Sequence, residues 1–216
     1  MITGRVRVTE VFFSLQGESL SAGCPTVFVR LTGCPLRCTY CDTAYAFSGG
    51  NHRDLNAVVA DVARHPTEYV CVTGGEPLAQ PSCRGLLRAL CDHGYRVSLE
   101  TSGALPCADI DPRVSIVMDL KTPGSGESHR NHWENMDVLT QKDQVKFVVS
   151  DRKDYDWARF QMDRWRLSDR VGAVLLSPVW QALEPRELAG WMVADGLRAR
   201  LQLQLHKLLW GEVQGR

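Results

Sequence analysis

The chain has 216 residues, 44% hydrophobic and 23% charged, enough to bury the core of one globular domain, and residues 1–216 read as a single domain. Its 25 basic and 25 acidic side chains cancel, which gives no long-range pull toward nucleic acid or an anionic membrane and favours a small-molecule substrate. No apolar run approaches the roughly 18–20 residues of a membrane span and the first residues lack a secretory core, so the expected setting is the cytoplasm.

Residues 26–31, β-branched and apolar except for Arg30, predict a first core strand. A cysteine-bearing loop, 33–43, follows. Helical spacing then runs over 54–64, with Asp54 placed to cap it. Residues 69–73 predict a second strand, ended by Gly74-Gly75-Glu76-Pro77. Residues 82–92 predict a helix with Leu86, Leu87 and Leu90 on one face and Gly94 at its C-terminal end. Further strands are expected at 95–100, 114–120, 144–149, 173–176 and 201–205, with helices at 154–167 and 185–195.

Strands alternating with helices imply right-handed crossovers and a parallel sheet. About seven strands in so short a chain fall below the ~250 residues of a closed eightfold barrel. The expected fold is therefore α/β: an open, partial TIM-type barrel of parallel strands with crossover helices. Its site belongs in the loops after the strand C-termini. The cysteine loop, Gly-Gly-Glu-Pro, Glu100-Thr101-Ser102-Gly103 and Asp119-Leu120-Lys121 all fall there.

Of eight cysteines, Cys24, Cys71, Cys83, Cys91 and Cys107 are scattered, mostly in apolar segments, and read as core packing. Cys34, Cys38 and Cys41 share one loop, spaced so that it can wrap a [4Fe–4S] cubane and supply three thiolates. Three thiolates for four irons leave one iron open to chelate an amino-carboxylate, as the methionyl end of S-adenosylmethionine would. An electron delivered through that iron can break the sulfonium C–S bond. A zinc site with Cys24 or a histidine as fourth ligand is the weaker reading, because no second cysteine pair is present.

The pattern Cys-x3-Cys-x-aromatic-Cys resembles that of the radical S-adenosylmethionine superfamily, with Tyr40 at the aromatic position. Within it, Phe13-Ser14-Leu15-Gln16-Gly17-Glu18, Phe28-Val29-Arg30-Leu31-Thr32-Gly33-Cys34, Cys41-Asp42-Thr43 and Gln204-Leu205-His206-Lys207-Leu208-Leu209-Trp210-Gly211 resemble the 7-carboxy-7-deazaguanine synthase family of the queuosine pathway. The resemblance implies a carbon–nitrogen lyase that turns 6-carboxy-5,6,7,8-tetrahydropterin into 7-carboxy-7-deazaguanine with loss of ammonia, using S-adenosylmethionine catalytically and Mg2+ as a further cofactor. A flavodoxin or ferredoxin would supply the electron. The small partial barrel and several tryptophans suggest a homodimer.

For this chain the resemblance implies cluster ligation by Cys34, Cys38 and Cys41, and Mg2+ ligation by Thr43. It brings Tyr40, Asp42, Gly75, Glu76, Gly103, Lys121 and Ser177 to S-adenosylmethionine. Leu15, Gln16, Gly17, Arg30, Thr101 and His206 meet the substrate, together with the carboxylate of Arg216. Taken alone, Arg30 either snorkels to solvent or pairs with a buried carboxylate, and His206 on a strand could equally be a core histidine. Two other readings compete: a glycyl-radical-type activating enzyme acting on a protein, and a non-enzymatic zinc or iron–sulfur module.

Overall fold

The computed structural model describes residues 3–215. It opens on a strand that was not expected, β1 (Arg5–Leu15), where Arg5 and Arg7 face solvent while Val6 and Val8 are buried. This alternation is the signature of a half-buried strand. β1 pairs antiparallel with β2 (Pro25–Leu31), setting Glu10 opposite Arg30. On its other side it carries β3 (Asn51–Asp54), also antiparallel. Asp54 does precede helix α1 (Leu55–Val62), but its carboxylate pairs with Arg5 instead of capping the helix.

From β2 onward the sheet is parallel, in the order β2, β4 (Tyr69–Gly74), β5 (Arg96–Thr101), β6 (Ser115–Asp119), β7 (Gln144–Val149), β8 (Ala173–Pro178) and β9 (Arg200–Leu201). Strands such as β4 and β8 are buried along nearly their whole length, as strands covered on both faces must be. The expected seven parallel strands are present, and β1 and β3 extend the sheet to nine. The sheet is open, with β3 and β9 at its edges.

Helix α2 (Cys83–Asp92) crosses from β4 to β5 and buries Leu86, Leu87 and Leu90. Gly94 ends it at φ +87°, with Gly94 N–H donating to Cys91 O and Tyr95 N–H to Leu90 O, the paired bonds of a left-handed glycine terminus. Helices α3 (Arg152–Trp165) and α4 (Leu167–Arg170) join β7 to β8, and α5 (Pro185–Ala194) joins β8 to β9. Full helices do not bridge every gap: an irregular loop leads from β5 to β6, and 3-10 turns lead from β6 to β7.

The largest departure is near the C-terminus. The strand expected at 201–205 stops after Leu201, and helix α6 (Leu205–Trp210) follows. The alternating Leu-Gln-Leu-Gln-Leu mimics a strand, but Leu205 N–H is taken by Gly17 O at 3.0 Å, which starts the helix. His206 is thus a helix residue. Cys71, Cys83, Cys91 and Cys107 are all buried, as expected of core packing, while Cys24 is half-buried.

Candidate active site

The C-terminal ends of the parallel strands surround a cavity of about 440 Å³. Successive strands present Arg30, Thr73, Glu100, Asp119, Lys146 and Ser177 to it. The register sets Arg30 beside Thr73 and Asp119 beside Lys146, so charges far apart in sequence form one belt.

The cysteine loop leaves β2 and is fastened on several sides. Gly33 N–H donates to Ala46 O, and Glu76 N–H donates to Gly33 O, both at 2.8 Å. Thr39 Oγ1 donates to Gly124 O at 2.8 Å, and Arg37, stacked over Phe47, donates to Cys34 O and Leu36 O. Gly75 lies directly beneath: a Cβ there would stand 2.3 Å from Gly33 O and 2.7 Å from Cys34 Cβ. The Gly-Gly-Glu turn is therefore the seat on which the cysteine loop rests.

Cys34, Cys38 and Cys41 are free, half-buried and all on the cavity wall. Burial pushes the Cys34 and Cys38 thiols up, Cys38 to about 11, and neighbouring thiols add to both shifts. Ligation to a cationic cluster would reverse this penalty, because iron takes the thiolate. Among the described residues no three His, Cys, Asp or Glu form a single-ion cluster. Three soft thiols, with no carboxylate or imidazole among them, suit an iron–sulfur cluster.

Tyr40 lies on the same wall, its phenol pushed up to about 12 by burial and by Asp119. Next to it Lys121 Nζ sits 3.1 Å from Asp119 Oδ2, and Lys146 Nζ lies 3.5 Å from that oxygen and 2.8 Å from Glu18 Oε2. Burial alone would lower both lysines, but the adjoining carboxylates more than offset it and hold both ammonium groups charged. Asp119 Oδ1 is buried without a protein partner.

Arg30 pairs with a carboxylate, a half-buried one: its Nε donates to Glu10 Oε1 at 2.8 Å, which also accepts from Tyr45 Oη at 2.9 Å. Gln16 is 3% exposed and its amide is engaged at both ends, donating to Glu100 Oε1 at 3.3 Å and accepting from Glu18 N–H at 3.1 Å. Leu15, Gly17 and Ser177 also line the cavity.

Two of the expected cofactor residues are off the wall. Glu76 is fully buried, and its carboxylate accepts from Leu78 N–H, Ser102 N–H and the hydroxyls of Thr101 and Ser102. Gly103, at φ +70°, turns the chain behind Thr101 and gives its carbonyl to His132 N–H. Thr101 does reach the cavity, with its hydroxyl held by Glu76. Arg216 lies outside the described residues.

α6 closes one side. His206 lines the cavity and presses on Gly17, where a Cβ would fall 2.0 Å from His206 Nδ1. Burial lowers the His206 pKa, which favours the neutral imidazole. Gly17→Ala is therefore expected to displace His206 and the α6 contact and to cut turnover by about a hundredfold. Thermal unfolding should hardly change, since Lys207 is the one buried residue of α6. A variant of wild-type activity in a steady-state assay would contradict this packing role.

Thr73 and Lys146 lie outside the segments expected at the site, and Glu18, Glu100 and Asp119 lie within such segments but carry no expected role. The available signal was positional: Glu100, Asp119 and Lys146 are charges set in or at the end of apolar strands.

A family model described as the Radical SAM superfamily matches residues 28–119, which hold the cysteine loop, the Gly-Gly-Glu turn and the ends of β5 and β6. A 7-carboxy-7-deazaguanine synthase of Koribacter versatilis is 40% identical over 219 residues, covering 95% of this chain and 97% of the relative. The chain belongs to the 7-carboxy-7-deazaguanine synthase family. Its relative in Chlorobaculum tepidum, of the same name, is 41% identical over 208 residues, covering 95% of this chain and 94% of its own. The crystal structure of QueE from Escherichia coli shares the fold, with a TM-score of 0.76, 22% identity, and coverage of 94% of this chain and 95% of that one. Membership makes the chain a radical S-adenosylmethionine lyase and implies both the [4Fe–4S] cluster and S-adenosylmethionine as its cofactors. Full-length matches of one name do not favour a protein-activating enzyme. No helix among the described residues is long and apolar enough to cross a membrane.

Proposed function

We propose that this enzyme converts 6-carboxy-5,6,7,8-tetrahydropterin into 7-carboxy-7-deazaguanine and ammonia. Atoms balance with ammonia alone, so no net oxidant is consumed and S-adenosylmethionine can be regenerated. The observation that carries the reading is that the cysteine loop and the paired-charge belt open into one cavity.

When bound, the cluster and S-adenosylmethionine supply the radical that abstracts the substrate hydrogen. Cys34, Cys38 and Cys41 hold the cluster. Tyr40, Asp42, Lys121, Ser177 and the Gly75 backbone shape the cofactor side; Glu76 and Gly103 serve it from behind by holding the ends of β4 and β5. Leu15, Gln16, Gly17, Thr101 and His206 form the substrate side, and the Arg216 carboxylate is assigned there from the resemblance alone. The Arg30 guanidinium, anchored by Glu10, meets the substrate carboxylate. Charges already paired within the protein need little rearrangement when substrate replaces water.

Mg2+ binds at Thr43, whose hydroxyl oxygen is a hard donor on the cavity wall, with a substrate carboxylate as a further ligand. A flavodoxin or ferredoxin supplies the electron in the cytoplasm. Leu208, Leu209 and Val213, each more than half exposed, support a homodimer. The test is anaerobic reconstitution with iron and sulfide, then addition of dithionite, S-adenosylmethionine, Mg2+ and the tetrahydropterin. Carboxydeazaguanine is the expected product, flavodoxin or ferredoxin should replace dithionite, and the preparation should sediment as a dimer. No product at full iron occupancy would refute the assignment.

A further inference from the structure

A line of contacts runs from the last helix back to the cysteine loop. Lys207 on α6 is 9% exposed, lies over the Trp180 ring, and places Nζ 2.8 Å from Asp42 Oδ2. Gln204 Nε2 donates to the same oxygen at 3.3 Å. The other carboxylate oxygen, Oδ1, accepts the Thr43 hydroxyl at 3.0 Å. Three hydrogen bonds thus fix both carboxylate oxygens of Asp42. With its proton committed to Oδ1, the Thr43 hydroxyl turns its lone pairs away from Asp42.

We infer that Lys207 is a positioning residue for the cation-binding hydroxyl of Thr43, acting through Asp42. The inference rests on the Mg2+ reading of Thr43 proposed above. The buried ammonium of Lys207, in hydrogen-bond contact with one oxygen of the half-exposed Asp42 carboxylate, restrains how that carboxylate can turn. Released from it, Asp42 is free to turn and Thr43 to rotate its hydroxyl. Asp42 then belongs to the layer behind the cation and not to its direct ligands. Groups in that layer commonly govern metal affinity by fixing the ligand's orientation. α6 also grips Gly17 through Leu205 N–H, so one short helix aligns the cation loop with the substrate loop.

The experiment uses the reconstituted holoenzyme with S-adenosylmethionine and substrate, and Mn2+ as a paramagnetic probe of the cation site. Lys207→Met is expected to weaken Mn2+ binding about tenfold and to raise the Mg2+ concentration for half-maximal rate in step. The rate at saturating Mg2+ should be kept, and amide exchange over residues 38–47 should quicken. Asp42→Asn should weaken Mn2+ binding to the same extent, and the double variant should weaken it little further than either single one. Unchanged Mn2+ affinity and exchange in Lys207→Met, alongside a clear loss in Thr43→Ala, would overturn the role of Lys207 while leaving the Mg2+ reading intact. No loss in Thr43→Ala would instead remove the Mg2+ reading, and this inference with it. If Lys207→Met does not fold, the half-exposed Asp42 carries the test, and wild-type affinity in Asp42→Asn overturns the relay.

Discussion

Cys38→Ala yields a folded protein that assembles no complete cluster and forms no product. The loop it sits in is anchored elsewhere: by Leu36, 1% exposed, by the Thr39 bonds to the 124–125 turn, and by Glu76 N–H on Gly33 O. Removing a half-buried thiol disturbs none of these. It does remove one of the three proposed ligands, and a cubane on two thiolates would have a second uncovered iron and no fixed orientation. Iron analysis and visible absorption after anaerobic reconstitution measure the first effect, and product formation the second. Retained turnover in Cys38→Ala would contradict the ligand assignment. Cluster uptake by the wild type should also slow as pH falls, because the Cys38 thiol, pushed up to about 11, must lose its proton to bind iron.

Glu76→Ala destabilises the chain even before any cofactor is added. Its carboxylate satisfies two backbone N–H groups and two hydroxyls in a fully buried pocket. Truncation leaves those donors stranded and opens a void, at a cost of about 4 kcal/mol. For a chain of this size that lowers the melting temperature by about 10 °C. Calorimetry on the cluster-free protein is the decisive measurement. A carboxylate whose sole duty were to bind S-adenosylmethionine would leave that transition where it was. An unmoved transition, with cofactor affinity lost, would return Glu76 to the cofactor.

Local features of the site were legible in the sequence because their meaning is carried by spacing. The three cysteines and the Gly-Gly-Glu turn needed no knowledge of distant neighbours. The parallel strands were legible as well, since burial on both faces writes itself as unbroken apolar runs. What escaped was pairing through space. Arg30 finds Glu10 only because β1 lies antiparallel beside β2 in one register, and Lys146 finds Glu18 across 128 residues. Without β1, a buried partner for Arg30 could be imagined but not named. Glu76 shows the same limit: its motif points at the cofactor, but the hydrogen bonds its carboxylate accepts from Thr101, Ser102 and Leu78 are invisible in the motif. His206 was drawn onto a strand by local alternation, which the bond from Leu205 to Gly17 overrides.

A barrel that does not close must leave two rows of backbone donors and acceptors unpaired, and such rows invite strands from other chains. Here one edge is β3, four residues reading Asn-His-Arg-Asp, and the other is β9, only Arg200–Leu201. Brevity and charge make both poor templates for a foreign strand. The chain can therefore keep its barrel permanently ajar, as a cavity for cofactor and substrate requires, without turning that gap into a seed for aggregation.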